Sequence, residues 1–243
     1  MSRALRAAAK FVANRAASAA GPYYRKKFKE YCELRFWRGV VTPILSDPAR
    51  MVRERGHYEY FFTEYFGLTR EDYRGTAILD VGCGPMGSLE WADIARERVG
   101  LDPLSAYYRD LVGRAHAMIY VAAPSEAIPY EDGHFDTVAS FNSLDHVDDV
   151  QQTIAEMKRV VSTHGRVLLI VEIGHAPTAT EPHRFDRMII ERFAPEFSTI
   201  RLEVFGVRED HNVYGSILNH TPYTEGRPGI LCARMERACA GTA

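Results

Sequence analysis

The stretch Ala77-Ile-Leu-Asp-Val-Gly-Cys-Gly-Pro-Met-Gly87 constrains the fold more than any other part of the chain. An apolar run broken by Asp80 leads into Gly82, Gly84 and Gly87, the pattern of a buried strand that turns sharply at a ligand site. A second acid, Asp102, follows the apolar run Val99-Gly-Leu101. In a parallel sheet such glycines let a ligand approach the backbone, and an acid after the next strand takes ribose hydroxyls. The spacing Gly82-x-Gly84-x-x-Gly87 is also that of a dinucleotide fingerprint, and a tight strand-helix turn can use the same glycines without any ligand. Asp80 shifts the balance, because a carboxylate repels a pyrophosphate and attracts an ammonium group. Pro85 fits a first-turn helical position that needs no N–H donor.

From about residue 76 short apolar runs alternate with amphipathic segments, which predicts a doubly wound α/β sheet. Strands are expected near 77–81, 98–101, 117–121, 135–141, 166–172, 199–207 and 229–236. Helices are expected near 87–97, 104–114, 149–161 and 185–193, with His164-Gly165 turning into the fifth strand. Before residue 76 the pattern is helical, over 2–20, 23–38 and 48–67. This divides the chain into a helical cap, 1–75, and a ligand-binding domain, 76–243. Tyr58, Phe62 and Phe66 recur every four residues, with Phe61 and Tyr65 alongside. They form either a core stripe or a lid whose rings stack on a substrate.

Net charge is −2, but residues 1–40 hold ten Lys/Arg against Glu30 and Glu33, leaving +8 there and −10 in the rest. Such a segment is either a solvated helix paired with the acidic body or a contact for a polyanion, a membrane surface or an anionic substrate. The acidic body argues against a nucleic-acid footprint. Four cysteines show no paired metal spacing and no disulfide framework, so a cytoplasmic setting is the simplest. No apolar run reaches the roughly 20 residues that span a bilayer, and stable membrane insertion is not expected. A homodimer is left open.

The glycine segment resembles motif I of the class I S-adenosylmethionine-dependent methyltransferases. The resemblance extends over most of residues 50–235 through Gly82-Cys-Gly-Pro-Met-Gly-Ser-Leu-Glu-Trp91, Ser140-Phe-Asn-Ser-Leu-Asp-His-Val-Asp148 and Glu172…His175…Glu181-Pro-His183, and points to members linked with bacterial polysaccharide biosynthesis. It implies a Rossmann-like, seven-stranded, mostly parallel sheet whose last strand enters antiparallel. S-adenosylmethionine would then be held by Asp80, Gly82, Cys83, Gly84, Asp102 and Pro103, with the methionine part facing Phe141 and Asn142. Many members carry an acid for the adenine amino group where this chain has Pro124, which leaves adenine to backbone groups of Ser125 and Glu126.

Residues just after strands four and five are the candidates for chemistry. Asp145 and His146 would project toward an acceptor, with Glu172 and His175 beside them. Asp145 and Asp148 can also be read as helix caps, and His175 and His183 as loop histidines. A hydroxyl acceptor must lose a proton, which a histidine can take; His146 is the leading base. Some metal-dependent sugar O-methyltransferases place acids after these strands with a histidine close by, so the resemblance implies Mg2+ held by Asp145 and Glu172. The run Phe141-Asn-Ser-Leu-Asp145 lacks both the Pro-Pro-aromatic pattern of base amino methylation and a Pro-Cys pair. A small-molecule or oligosaccharide substrate is the expected partner. A nicotinamide-dependent oxidoreductase and a catalytically silent S-adenosylmethionine-binding protein are the alternatives.

Overall fold

The computed structural model describes residues 21–112 and 116–238; the helix expected over 2–20 lies outside them. Seven strands, β1 (Ala77–Val81), β2 (Glu97–Leu101), β3 (Ile119–Val121), β4 (Phe135–Phe141), β5 (Val161–Ile173), β6 (Phe197–Gly206) and β7 (Gly229–Arg237), build one sheet. Their order is β3-β2-β1-β4-β5-β7-β6. β1 to β5 run parallel, and β7 enters antiparallel between β5 and β6. The winding reverses between β1 and β4, so a crevice opens beyond their carboxyl ends.

β5 shows why the sheet is buried on both faces: its apolar residues alternate between two cores. Leu169 and Val171 join Leu79, Val138, Ile154, Met157 and Phe193 on one face. Leu168 and Ile170 join Phe61, Phe62, Phe66, Tyr73 and Trp91 on the other. The first face is covered by α4 (Val150–Val160), capped by Asp149, whose carboxylate accepts the Gln152 N–H at 3.0 Å. α3 (Ser105–Val112) lies beside β3, and α5 (Val213–Leu218) near β6.

Two helices precede the sheet, α1 (Pro22–Leu45) and α2 (Pro48–Phe62). Pro22 opens α1 at a position whose N–H would be unpaired in any case. Phe61, Phe62, Tyr65 and Phe66 are buried against the sheet, with Phe62 and Phe141 ring centroids 4.7 Å apart. The aromatic stripe is therefore core and not a lid. Burying each such ring contributes roughly 1.5–3 kcal/mol.

One expected element is missing. Residues 87–95 form successive turns in place of a helix, through Glu90 N–H to Gly87 O at 3.0 Å and Ala92 N–H to Leu89 O at 3.1 Å. Side chains divert this segment from helix. Arg98 donates to the Leu89 and Glu90 carbonyls, and the Glu90 carboxylate accepts the N–H groups of Ala117 and Met118. Trp91 is buried against Tyr73 and Phe62. The segment between 187 and 193 is a 3-10 helix, and β5 begins five residues before the expected start at 166.

Candidate active site

The crevice is shaped first by Gly82. Its φ is +77°, and a Cβ there would lie 2.3 Å from Ser143 Cβ after β4. Ser143 is fixed in turn, its hydroxyl donating to the Val81 carbonyl at 2.7 Å. Gly82→Val is expected to lower stability by about 2 kcal/mol or more, from positive-φ strain plus overpacking. Denaturant unfolding checks this, and adding Ser143→Gly is expected to recover the steric part only.

Asp80 is buried at the end of β1 and accepts a hydrogen bond from the Ser88 hydroxyl. Burial, together with the nearby Asp102 carboxylate, pushes its pKa up to about 7 against the opposing Ser88 bond. Asp102 accepts the N–H groups of Leu104 at 2.8 Å and Gly84 at 3.4 Å, yet burial raises it to about 6. Two carboxyls that hold protons this firmly suit a ligand that brings positive charge, because a cation would restore their ionised form. Asn142 adds a positive φ of 52° and a buried Oδ1 without a hydrogen-bond partner. The residues present thus fit a cofactor of S-adenosylmethionine's chemistry.

The other expected cofactor residues fall in mixed positions. Cys83 is buried under the turn, against Gly100. Pro103 is exposed after β2. Ser125 shares a 3.0 Å hydroxyl contact with Thr153, and the Glu126 carboxylate accepts the N–H groups of Asp148 and Asp149. Both side chains hold the loop. Phe141 departs from expectation: its ring packs into the aromatic core against Phe62 and Phe66, because alternation along β4 turns it away from the crevice.

Beyond β4 and β5, Asp145, His146, Glu172 and His175 come together with Glu181. Asp145 is buried, with Oδ2 3.6 Å from His175 Nε2 and Oδ1 3.9 Å from His146 Nε2. Asp145 Oδ1 and His175 Nε2 are both buried without a hydrogen-bond partner. Burial raises the Asp145 pKa, and burial followed by the charges of Asp145 and Glu181 raises that of Glu172. His146 is different. Burial alone would lower its pKa, but its Nδ1 donates to Glu33 Oε1 at 3.0 Å, and Glu33 and Asp145 together push the pKa up to about 9. At neutral pH the ring is an imidazolium.

Two expectations change here. No group of three or more His, Cys, Asp or Glu among the described residues is placed to hold a metal ion, so Asp145 and Glu172 do not form the expected Mg2+ site. Asp145 is turned toward two imidazoles, which supply no cage of oxygens. Asp148 does not cap α4; it pairs with Lys29 of α1 at 3.2 Å. His183 lies away from the cluster, with Nε2 2.9 Å from the Val147 carbonyl. Glu33 was not anticipated, since nothing in the spacing of the basic helix carrying it points to a site after β4.

Residues 79–169 match the methyltransferase domain family. A malonyl-[acyl-carrier protein] O-methyltransferase of Pseudescherichia vulneris is 35% identical over 96 residues, covering 39% of this chain and 38% of that protein. The tocopherol O-methyltransferase of Arabidopsis thaliana is 30% identical over 116 residues, 44% of this chain and 33% of that one. The matches thus span less than half the length of these two relatives. The geranyl diphosphate C-methyltransferase of Streptomyces coelicolor A3(2) superposes with a TM-score of 0.58 at 15% identity, covering 90% of this chain and all of that one, and so shares the fold. Among the described residues no helix is long and apolar enough to cross a membrane. Residues 79–169 thus resemble the methyltransferase domain family, within a sheet that shares the fold of the geranyl diphosphate C-methyltransferase.

Proposed function

We propose that this protein transfers a methyl group from S-adenosylmethionine to a hydroxyl of a small polar acceptor, with a sugar as the substrate class. The observation that carries the reading is the pair of buried, unpartnered atoms Asp145 Oδ1 and His175 Nε2, set after β4 and β5. Such orphaned groups suit an acceptor that brings its own hydrogen-bonding groups. Lining by Asp145, Glu172, His175 and Glu181 favours a hydroxyl-rich molecule over an apolar ring such as that of tocopherol. The sequence resemblance adds the finer expectation of the 1-OH of a short methylated mannoside.

Held at Asp80 and Asp102, S-adenosylmethionine would supply an electrophilic methyl group and leave as S-adenosylhomocysteine. The chain's part is to align the acceptor and take its hydroxyl proton. His146 is already protonated at neutral pH, so the proton passes instead to the Asp145 carboxylate, made more basic by burial. His175 faces Asp145 and orients it, and the His146 imidazolium offsets its charge.

The test is release of S-adenosylhomocysteine from S-adenosylmethionine with a short methylated mannoside, a malonyl thioester and a tocopherol-like phenol, each with Mg2+ and with a chelator. Sugar-dependent release that survives chelation is expected. Release with the thioester or phenol alone would remove the sugar, and reduction of a nicotinamide cofactor in place of methyl transfer would overturn the reading.

A further inference from the structure

α1 lies across the crevice and touches both sides of the switch point. Trp37 Cζ2 sits 2.9 Å from where a Cβ on Gly84 would be, at the cofactor turn. Lys29 pairs with Asp148 after β4. Val41 and Ile44, also on α1, pack with Met86 and Val112. Between these anchors Glu33 reaches His146 at 3.0 Å. Its side chain is 23% exposed and its partner's 26%, so the contact is screened less than a surface pair would be.

We infer that Glu33 is a positioning residue, which holds the His146 ring by Nδ1 so that Nε2 faces Asp145 only while α1 is seated on the glycine turn. The methyltransferase domain match covers 79–169 and does not include it. The acceptor side is therefore completed by a residue from the cap. Four carboxyl groups bear on His146: Glu33 on α1, Asp145 on its own turn, Glu181 beyond β5 and Asp102 after β2. Glu33 alone is hydrogen-bonded to it, so its removal or displacement has the largest effect. Lifting α1 withdraws that carboxylate and frees Nδ1, which ties the protonation of His146 to closure over the cofactor. The catalytic consequence rests on the methyl-transfer reading above; the contact and its effect on His146 do not.

The experiment is an NMR titration of histidine ring nitrogens in the full chain, with the His146 signals assigned by their loss in His146→Gln. In the unsubstituted protein His146 is expected to titrate near pH 9. Glu33→Gln is expected to lower that by about one to two units, and Glu33→Asp to restore part of it. Trp37→Ala, which removes the seat of α1 while keeping the carboxylate, is expected to move it in the same direction and serves if Glu33→Gln does not fold. An unchanged His146 titration in Glu33→Gln or, failing that variant, in Trp37→Ala would overturn the inference. Calorimetry with S-adenosylhomocysteine on the same samples separates the two ideas. Absence of binding would remove the methyl-transfer reading, whereas the titration shift judges Glu33 on its own.

Discussion

Asp80→Asn is expected to weaken S-adenosylmethionine binding by about a hundredfold or more, the effect of removing a buried charge-assisted partner. The substitution is nearly isosteric and keeps an acceptor for the Ser88 hydroxyl, so the fold is expected to survive. The pH dependence gives a sharper signature. With a folded-state pKa of about 7, Asp80 is largely protonated at pH 6 and ionised at pH 8. Affinity for the cationic cofactor is therefore expected to rise across that interval in the unsubstituted protein and to stay flatter in the variant. Stability runs the other way. A carboxyl whose pKa is raised on folding contributes stability that is fully present below its unfolded value and lost as pH rises through the folded one. The ligand-free protein is thus expected to melt lower at pH 8 than at pH 5, with Asp80→Asn reducing the difference. Equilibrium dialysis and thermal unfolding at both pH values check these outcomes; equal affinity in the two proteins at pH 8 would remove Asp80 from the cofactor site.

Asp145→Asn is expected to lower turnover by about 10²- to 10⁴-fold while leaving cofactor affinity nearly unchanged, the range for loss of a general base. Asp145 faces His175 and His146, so its removal should separate kcat from cofactor binding. His146→Gln is expected to cost less, because an imidazolium that is already protonated cannot accept the acceptor's proton. If His146→Gln abolished turnover while Asp145→Asn left it intact, the roles assigned to the two would have to be exchanged. The comparison is made by steady-state rates with whichever acceptor supports release.

How much of this was legible in the sequence depends on how local the cause is. β1 and β4 fall on the expected residues, because unbroken apolar runs ending in glycine or in polar residues leave little choice of register. The antiparallel entry of β7 followed from resemblance and not from its own residues. The helix expected over 87–97 failed because tertiary contacts decided it: Arg98 takes up carbonyls that a helix would use, the Glu90 carboxylate is drawn to the N–H groups of Ala117 and Met118, and Trp91 is drawn into the aromatic core. Asp80 was found by its place just before the glycine turn, and Asp102, Asp145 and Glu172 by theirs at or after the ends of expected strands. Their environments were not, since burial and the mutual approach of Asp145, Glu172 and Glu181 depend on three-dimensional neighbours. Glu33 shows the limit most plainly. It lies 113 residues before His146, in a helix whose charge pattern reads as a solvated basic surface, and only the docking of that helix across the crevice brings the two together.

The most direct test of the central claim is calorimetric titration of the full chain with S-adenosylhomocysteine, and in parallel with a nicotinamide dinucleotide, at pH 8. Saturable one-to-one binding of S-adenosylhomocysteine with no heat from the dinucleotide is the expected result. Binding of the dinucleotide, or of neither, would contradict the assignment of Asp80, Gly82, Gly84 and Asp102 to an adenosylmethionine site.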